Sequence, residues 1–193
     1  MSDKQKFPRA IALAVAEKIA AALAPACSRI EIAGSIRRRK EEVGDIEIVY
    51  VPINVLVPDP GDLFGKEISV NAADLKINYL VERGCLAKRR NVNDAETWGQ
   101  WNKLARAVTT GIPVDLFATT EDAWWNYLVC RTGSSENNVR IAQAAQKRRC
   151  QWHPTRCGFS QSFASTEVRI FPMHSEADVF EFAGLPYLEP WER

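Results

Sequence analysis

Only two histidines, His153 and His174, occur in this 193-residue chain, and its five cysteines include no Cys-x-x-Cys pair. A zinc site is therefore not expected, and an odd, scattered set (Cys27, Cys85, Cys130, Cys150, Cys157) gives no disulfide framework. The chain reads as a reduced, intracellular, cytoplasmic protein. No apolar run approaches the length that spans a bilayer, and the charged start carries no apolar leader, so no membrane role is expected. A large net charge is missing as well. The formal charge is +1, so affinity for nucleic acid has to come from local clusters. Three exist, Arg37-Arg38-Arg39-Lys40, Lys88-Arg89-Arg90 and Lys147-Arg148-Arg149, and together they suggest a positive groove.

The pattern of what is present predicts an α+β fold, a small mixed sheet flanked by helices. Residues 8–23 read as a helix with an apolar stripe of Ile11, Val15, Ile19 and Leu23 in an alanine-rich background. Alternation predicts strands over 29–33 and 45–51. Residues 52–65 carry three prolines and two glycines and read as an irregular excursion, followed by a helix over 72–83. Segment 86–110 suits strands or hairpins, and 114–117 a strand with Pro113 tolerable only at its start. Helices are expected over 121–130 and 136–149, short strands near 152–158 and 168–171, and a last helix capped by Ser175 with Asp178 three residues on. The expected division is a strand-based lobe, 1–119, and a helical lobe, 120–193.

The chemistry concentrates at Asp45 and Glu47. Alternate residues of a strand share a face, so two carboxylates project together while Ile46 and Ile48 face the core. Such a pair repels unless a cation lies between, and oxygen-only ligation suits magnesium or manganese. The same spacing also suits a solvent-facing acidic edge. Context favours chemistry: Gly34-Ser35 follows a strand ten residues before Asp45, a place where backbone approaches phosphate closely, and Arg38 in the same loop offers a fork of donors.

In order, 33–38 (Ala-Gly-Ser-Ile-Arg-Arg) and 43–47 (Val-Gly-Asp-Ile-Glu) resemble the nucleotidyltransferase signature of family X DNA polymerases, the polymerase beta group. Ile112-Pro113-Val114-Asp115-Leu116 resembles the strand bearing that family's third aspartate. Arg131-Thr132-Gly133-Ser134 with Asn137-Asn138 resembles its Thr-Gly-Ser turn and base-contacting asparagine, and 183–193 is similar to the tail of bacterial and phage members.

The resemblance implies a palm followed by a helical nucleotide-binding subdomain. It implies that Asp45 and Glu47 hold two magnesium ions, or manganese, and that Asp115 completes the site and acts on the primer 3′-hydroxyl. Gly34, Ser35 and Arg38 would bind the triphosphate. Thr132, Gly133 and Ser134 would form the turn beside the sugar, and Asn138 would contact the base. Arg140, Lys147, Arg148, Lys88 and Arg89 would meet DNA. The implied activity is addition of deoxynucleoside monophosphates from dNTPs to a DNA primer, in repair, by a monomer. Two other readings stand beside it: a nucleotidyltransferase that is untemplated or takes a non-DNA acceptor, and a non-catalytic binding module.

Three departures matter. Glu47 stands where the family has aspartate. Fewer than ten residues precede the first helix, leaving no room for an N-terminal lyase domain, so the minimal form of some viruses and phages is expected. Cys130-Arg131 stands where an aromatic pair restricts the sugar pocket. Ribonucleotides should accordingly be accepted more readily than by typical relatives. Competition between dATP and ATP checks this, and discrimination far above about a hundredfold would show another group closing the pocket.

Overall fold

The computed structural model describes residues 5–62, 64–162 and 168–193. Residues 1–4, which carry part of the polar start, and Leu63 within the expected excursion lie outside them. The first elements are β1 (Phe7–Pro8), α1 (Arg9–Leu23), β2 (Cys27–Ile32), α2 (Gly34–Arg37), β3 (Glu42–Val43) and β4 (Ile46–Pro52). Next come β5 (Asn54–Pro58), β6 (Glu67–Asn71), α3 (Ala72–Glu82), β7 (Leu86–Lys88), β8 (Asn102–Ala107) and β9 (Pro113–Ala118). The chain ends with α4 (Trp124–Thr132), α5 (Ser135–Lys147), β10 (Gln151–His153), β11 (Gly158–Ser162), β12 (Val168–Pro172) and α6 (Glu176–Ala183). The fold is α+β. Among the described residues no helix is long and apolar enough to cross a membrane.

A five-stranded mixed sheet, ordered β2-β4-β9-β8-β7, carries the first lobe. Strand alternation divides its residues between two cores. Ile46, Ile48 and Tyr50 of β4, with Val114, Leu116 and Ala118 of β9, pack with Ala12, Ala16, Ile19 and Leu23 of α1 and Ile77 of α3. On the other face Val49, Val51 and Phe117 pack with Trp124, Tyr127 and Leu128 of α4. By the same alternation Glu47 and Asp115 belong to that second face. A separate core, including Val129, Ile141, Trp152, Phe159 and Phe180, unites α4, α5, α6 and the sheet β10-β11-β12.

The structure corrects two expectations. The buried stripe of α1 is Ala12, Ala16, Ile19 and Leu23, whereas Ile11 is half exposed. Small alanines let the helix backbone approach the sheet, which outweighs the greater apolarity of isoleucine at that position. Segment 52–65 is not wholly irregular: β5 pairs with β6 as a hairpin, with Val55 opposite Val70 and Val57 opposite Ile68. Two of its three prolines, Pro52 and Pro58, fall at strand ends, where the missing N–H costs least, and Pro60 lies in the turn between the strands. The Ser175 cap is as expected, its hydroxyl accepting from the Asp178 N–H at 3.0 Å.

The two lobes are joined by charge. Arg37 of α2 donates to Thr132 Oγ1 at 2.8 Å and holds Glu176 of α6 through both Nη atoms, at 3.0 and 2.5 Å. The buried Arg193 guanidinium approaches the same carboxylate at 2.7 Å as an ion pair outside hydrogen-bonding alignment. Burial by itself would raise the Glu176 carboxyl, but the hydrogen bond and charge of Arg37, with the charge of Arg193, hold it below its ordinary value. The depressed value makes the stabilisation complete above the usual carboxyl range, about pH 4.3, and lost as pH falls through the folded-state value. Glu176→Gln should destabilise the chain at pH 7 by about 3 kcal/mol, because it leaves buried arginines uncompensated. Urea unfolding from pH 7 downward checks this, with variant and parent converging in acid.

Candidate active site

Backbone register places the acidic residues. β4 and β9 are parallel with Glu47 opposite Asp115, so the two side chains stand side by side on the face that α4 covers further along. Asp45 lies one residue before β4, not within it as expected, and is half-buried at the strand's entry. The three carboxylates therefore gather at one end of two neighbouring strands. Burial, followed by the charges of Asp45 and Asp115, pushes the Glu47 carboxyl up to about 7, against the opposing pull of Arg131 and Arg38.

β2 brings the phosphate loop to the same place. The Ala33 N–H donates to Glu47 O at 2.8 Å, and Gly34 follows with φ +61°. A Cβ on Gly34 would lie 2.6 Å from Glu47 Oε2, so this position needs glycine for space as well as for backbone conformation. Residues 34–37 form a short helix rather than the loop expected, and Ser35 Oγ is buried with no hydrogen-bond partner among the described residues. Arg38 reaches across to donate to Thr132 O. Gly133 lies directly beneath it; a Cβ there would sit 2.9 Å from Arg38 Nη1.

The other expected residues divide into those the fold brings here and those it does not. Ser134 caps α5, accepting from the Asn137 N–H at 3.3 Å. Asn138 turns back toward α4, donating to Cys130 O at 2.8 Å, and its Oδ1 is buried without a partner among the described residues. Arg89 donates to Asp115 Oδ1, which joins an expected DNA contact to an expected metal ligand. Lys88 pairs with Glu96 at 3.0 Å. Arg140 is half-buried on α5, and Lys147 and Arg148 are exposed at its end. The first basic run is only in part a surface patch: Arg39 and Lys40 are exposed, whereas Arg37 and Arg38 are half-buried. Arg37 and Arg38 tie the lobes together, and Arg39 stacks on Trp191 at 3.8 Å.

Sequence reasoning placed Arg131 at the sugar pocket and gave it no role beside the carboxylates. Its guanidinium lies over Phe117 at 3.6 Å and donates to Tyr127 Oη at 3.0 Å, within electrostatic reach of Glu47. Its place beside the Thr-Gly-Ser turn was the available signal. Beyond it a hollow of about 280 Å³ opens between Trp101, Asn102, Thr119 and Tyr127. A hollow of about 550 Å³ on the second lobe, between Arg148, Cys150, Phe171 and Phe182, shares no residue with the carboxylate site.

Among the described residues no three acidic, histidine or cysteine side chains are already arranged to hold a metal. The donor set nevertheless suits a hard divalent cation: oxygens only, gathered at one end of two adjacent strands, with a carboxyl raised by burial and by its neighbours' charge. Comparison with known proteins adds one finding. Residues 127–193 match the family model of the DNA polymerase beta thumb. No curated protein matches the chain.

Gly34→Ala should force Glu47 from its position and strain the backbone, destabilising the chain by about 1–3 kcal/mol. In the Gly34→Ala/Glu47→Ala double variant the clash disappears and the φ strain stays. Chemical denaturation of the single and double variants should therefore show partial recovery.

Proposed function

We propose that this chain is a DNA polymerase of the polymerase beta type, adding deoxynucleoside monophosphates from dNTPs to a primer 3′-hydroxyl. The observation that carries the reading is the registered pair Glu47 and Asp115, gathered with Asp45 beside a lobe whose sequence is similar to the polymerase beta thumb. Residues 1–119 act as the palm, and residues 120–193 bind the nucleotide and DNA.

Asp45, Glu47 and Asp115 would hold magnesium or manganese ions. Bound there, the cations neutralise charge on the triphosphate and ease deprotonation of the attacking hydroxyl. The protein's own groups do the positioning. The Gly34 backbone and Ser35 Oγ meet phosphate oxygens, which gives a partner to a hydroxyl otherwise buried without one. Arg38 clamps the phosphates from the other side while its bond to Thr132 O ties that clamp to the turn at Gly133. Ser134 orients the start of α5, and Asn138 Oδ1 is left to meet the base. Arg140, Lys147 and Arg148 contact the DNA backbone, giving affinity that is independent of sequence and weakened by salt.

One observation favours transfer without a template as a second reading. Arg37 and Arg38 are engaged within the protein, so fewer cations remain for gripping a duplex. Extension of a labelled primer with and without a template strand separates the two.

Asp45→Asn and Asp115→Asn should each abolish transfer while leaving folding nearly intact. Loss of one ligand should raise the barrier by on the order of 4 kcal/mol, about a thousandfold in rate. Single-turnover primer extension checks the rate and thermal unfolding checks the fold. Near-normal turnover by either variant would remove these carboxylates from the reaction.

A further inference from the structure

Arg89 is set apart from the rest of its basic run. Lys88 pairs with Glu96 and Arg90 with Asp94, both acids well exposed, as surface charges usually do. Arg89 alone turns onto the sheet. Its N–H donates to Leu104 O at 2.9 Å, and Leu104 is in register with Asp115, which is in register with Glu47. Glu47, Asp115 and Leu104 thus form one row across β4, β9 and β8, and Arg89, the residue just past the end of β7, extends it. At about 4.8 Å between strands, the Arg89 side chain has to cross β8, over Leu104, to reach Asp115 Oδ1. The rest of its grip is slack: Nε to Ala105 O is 3.4 Å and Nη1 to Arg90 O is 3.5 Å. The pair is sheltered on the acid side, with Asp115 16% and Arg89 30% exposed.

We infer that Arg89 is a displaceable counter-ion, which holds Asp115 until a divalent cation takes the carboxylate and the guanidinium passes to a nucleic-acid phosphate. The inference rests on the proposed reading of Asp115 as a metal ligand. Two positive groups on one carboxylate oxygen repel each other strongly in a sheltered site, so cation and guanidinium exclude one another there. A divalent ion carries twice the charge and draws on Asp45 and Glu47 as well, whereas the guanidinium reaches only Asp115 by a described contact. Once released, Arg89 has the fork that matches a phosphate, beside Lys88 and Arg90 on the same stretch of chain. The guanidinium thus screens the carboxylates in the resting protein and couples metal loading to nucleic-acid binding. It is a positioning residue that acts through Asp115.

Manganese titrated calorimetrically into the full chain, without nucleotide or DNA, tests the first half. Arg89→Ala and Arg89→Gln should bind the ion about tenfold more tightly than the parent, a coupling of ordinary size between linked sites. Arg90→Ala removes the same charge one residue away and should change affinity by less than about twofold at physiological salt. Equal affinity in parent and Arg89 variants would overturn the inference, as would an equal gain in Arg90→Ala, which would reduce the effect to general charge. If neither the parent nor any variant binds manganese, the proposed metal site itself fails, a result distinct from both. The second half is read from salt dependence on gapped DNA. With manganese present, Arg89→Ala should lower the slope of log affinity against log salt by about one; with chelator it should leave the slope unchanged. A slope that is the same with and without metal would overturn the transfer to phosphate.

Discussion

The parallel pairing of β4 and β9 is the constraint on which the rest of the molecule depends. It fixes Glu47 opposite Asp115, and a one-residue slip would send one carboxylate into the core beneath α1. The correct register instead buries Ile46, Ile48, Val114 and Leu116 on the α1 side. Apolar burial therefore maintains an arrangement that charge repulsion opposes. The carboxyl of Glu47, pushed up to about 7 first by burial and then by the charges of Asp45 and Asp115, reports the cost of that arrangement. Arg131, stacked on Phe117, and Arg89, on Asp115, soften it from either side.

The same face of the sheet explains why the lobes meet where they do. Val49, Val51 and Phe117 continue the two acidic strands beyond the carboxylates, and α4 covers them with Trp124, Tyr127 and Leu128. The end of α4 then delivers Thr132 and Gly133 to Arg38, while α6 delivers Glu176 to Arg37. Two consecutive arginines at the end of one short helix, Arg37 within it and Arg38 just past it, thus fix the second lobe at two points. The turn from α4 to α5 is held over the acidic end of the strands, the place where a triphosphate held by Ser35 and Arg38 would lie.

Much of this was legible in the sequence because it depends on local geometry. A strand's period of two showed that Glu47 faces away from Ile46 and Ile48, Pro113 marked a strand start, and Ser175 announced a helix. The Gly34 requirement was anticipated for phosphate approach, yet the structure adds a second cause, the Glu47 carboxylate pressed against it. The partners of long charged side chains were not legible. Arg37 meets Glu176 across 139 positions, and Arg89 meets Asp115 across 26 positions and an intervening strand. Nothing in a run of basic residues distinguishes those that face solvent from those that cross to a buried acid. The buried face of α1 was misread for a related reason. Isoleucine is the more apolar residue, but the distance between helix and sheet selects alanine, and that distance is set by the whole lobe.

In the proposed function Asp45, Glu47 and Asp115 converge on divalent cations that serve a nucleoside triphosphate. Crystals soaked with manganese and a non-hydrolysable dNTP, with anomalous scattering used to locate the metal, test it most directly. The expected result is an anomalous peak among the three carboxylates, triphosphate density at Gly34 and Ser35, and the Arg89 guanidinium withdrawn from Asp115. A map with manganese elsewhere, Arg89 still on Asp115 and Glu47 still against Gly34 would contradict it.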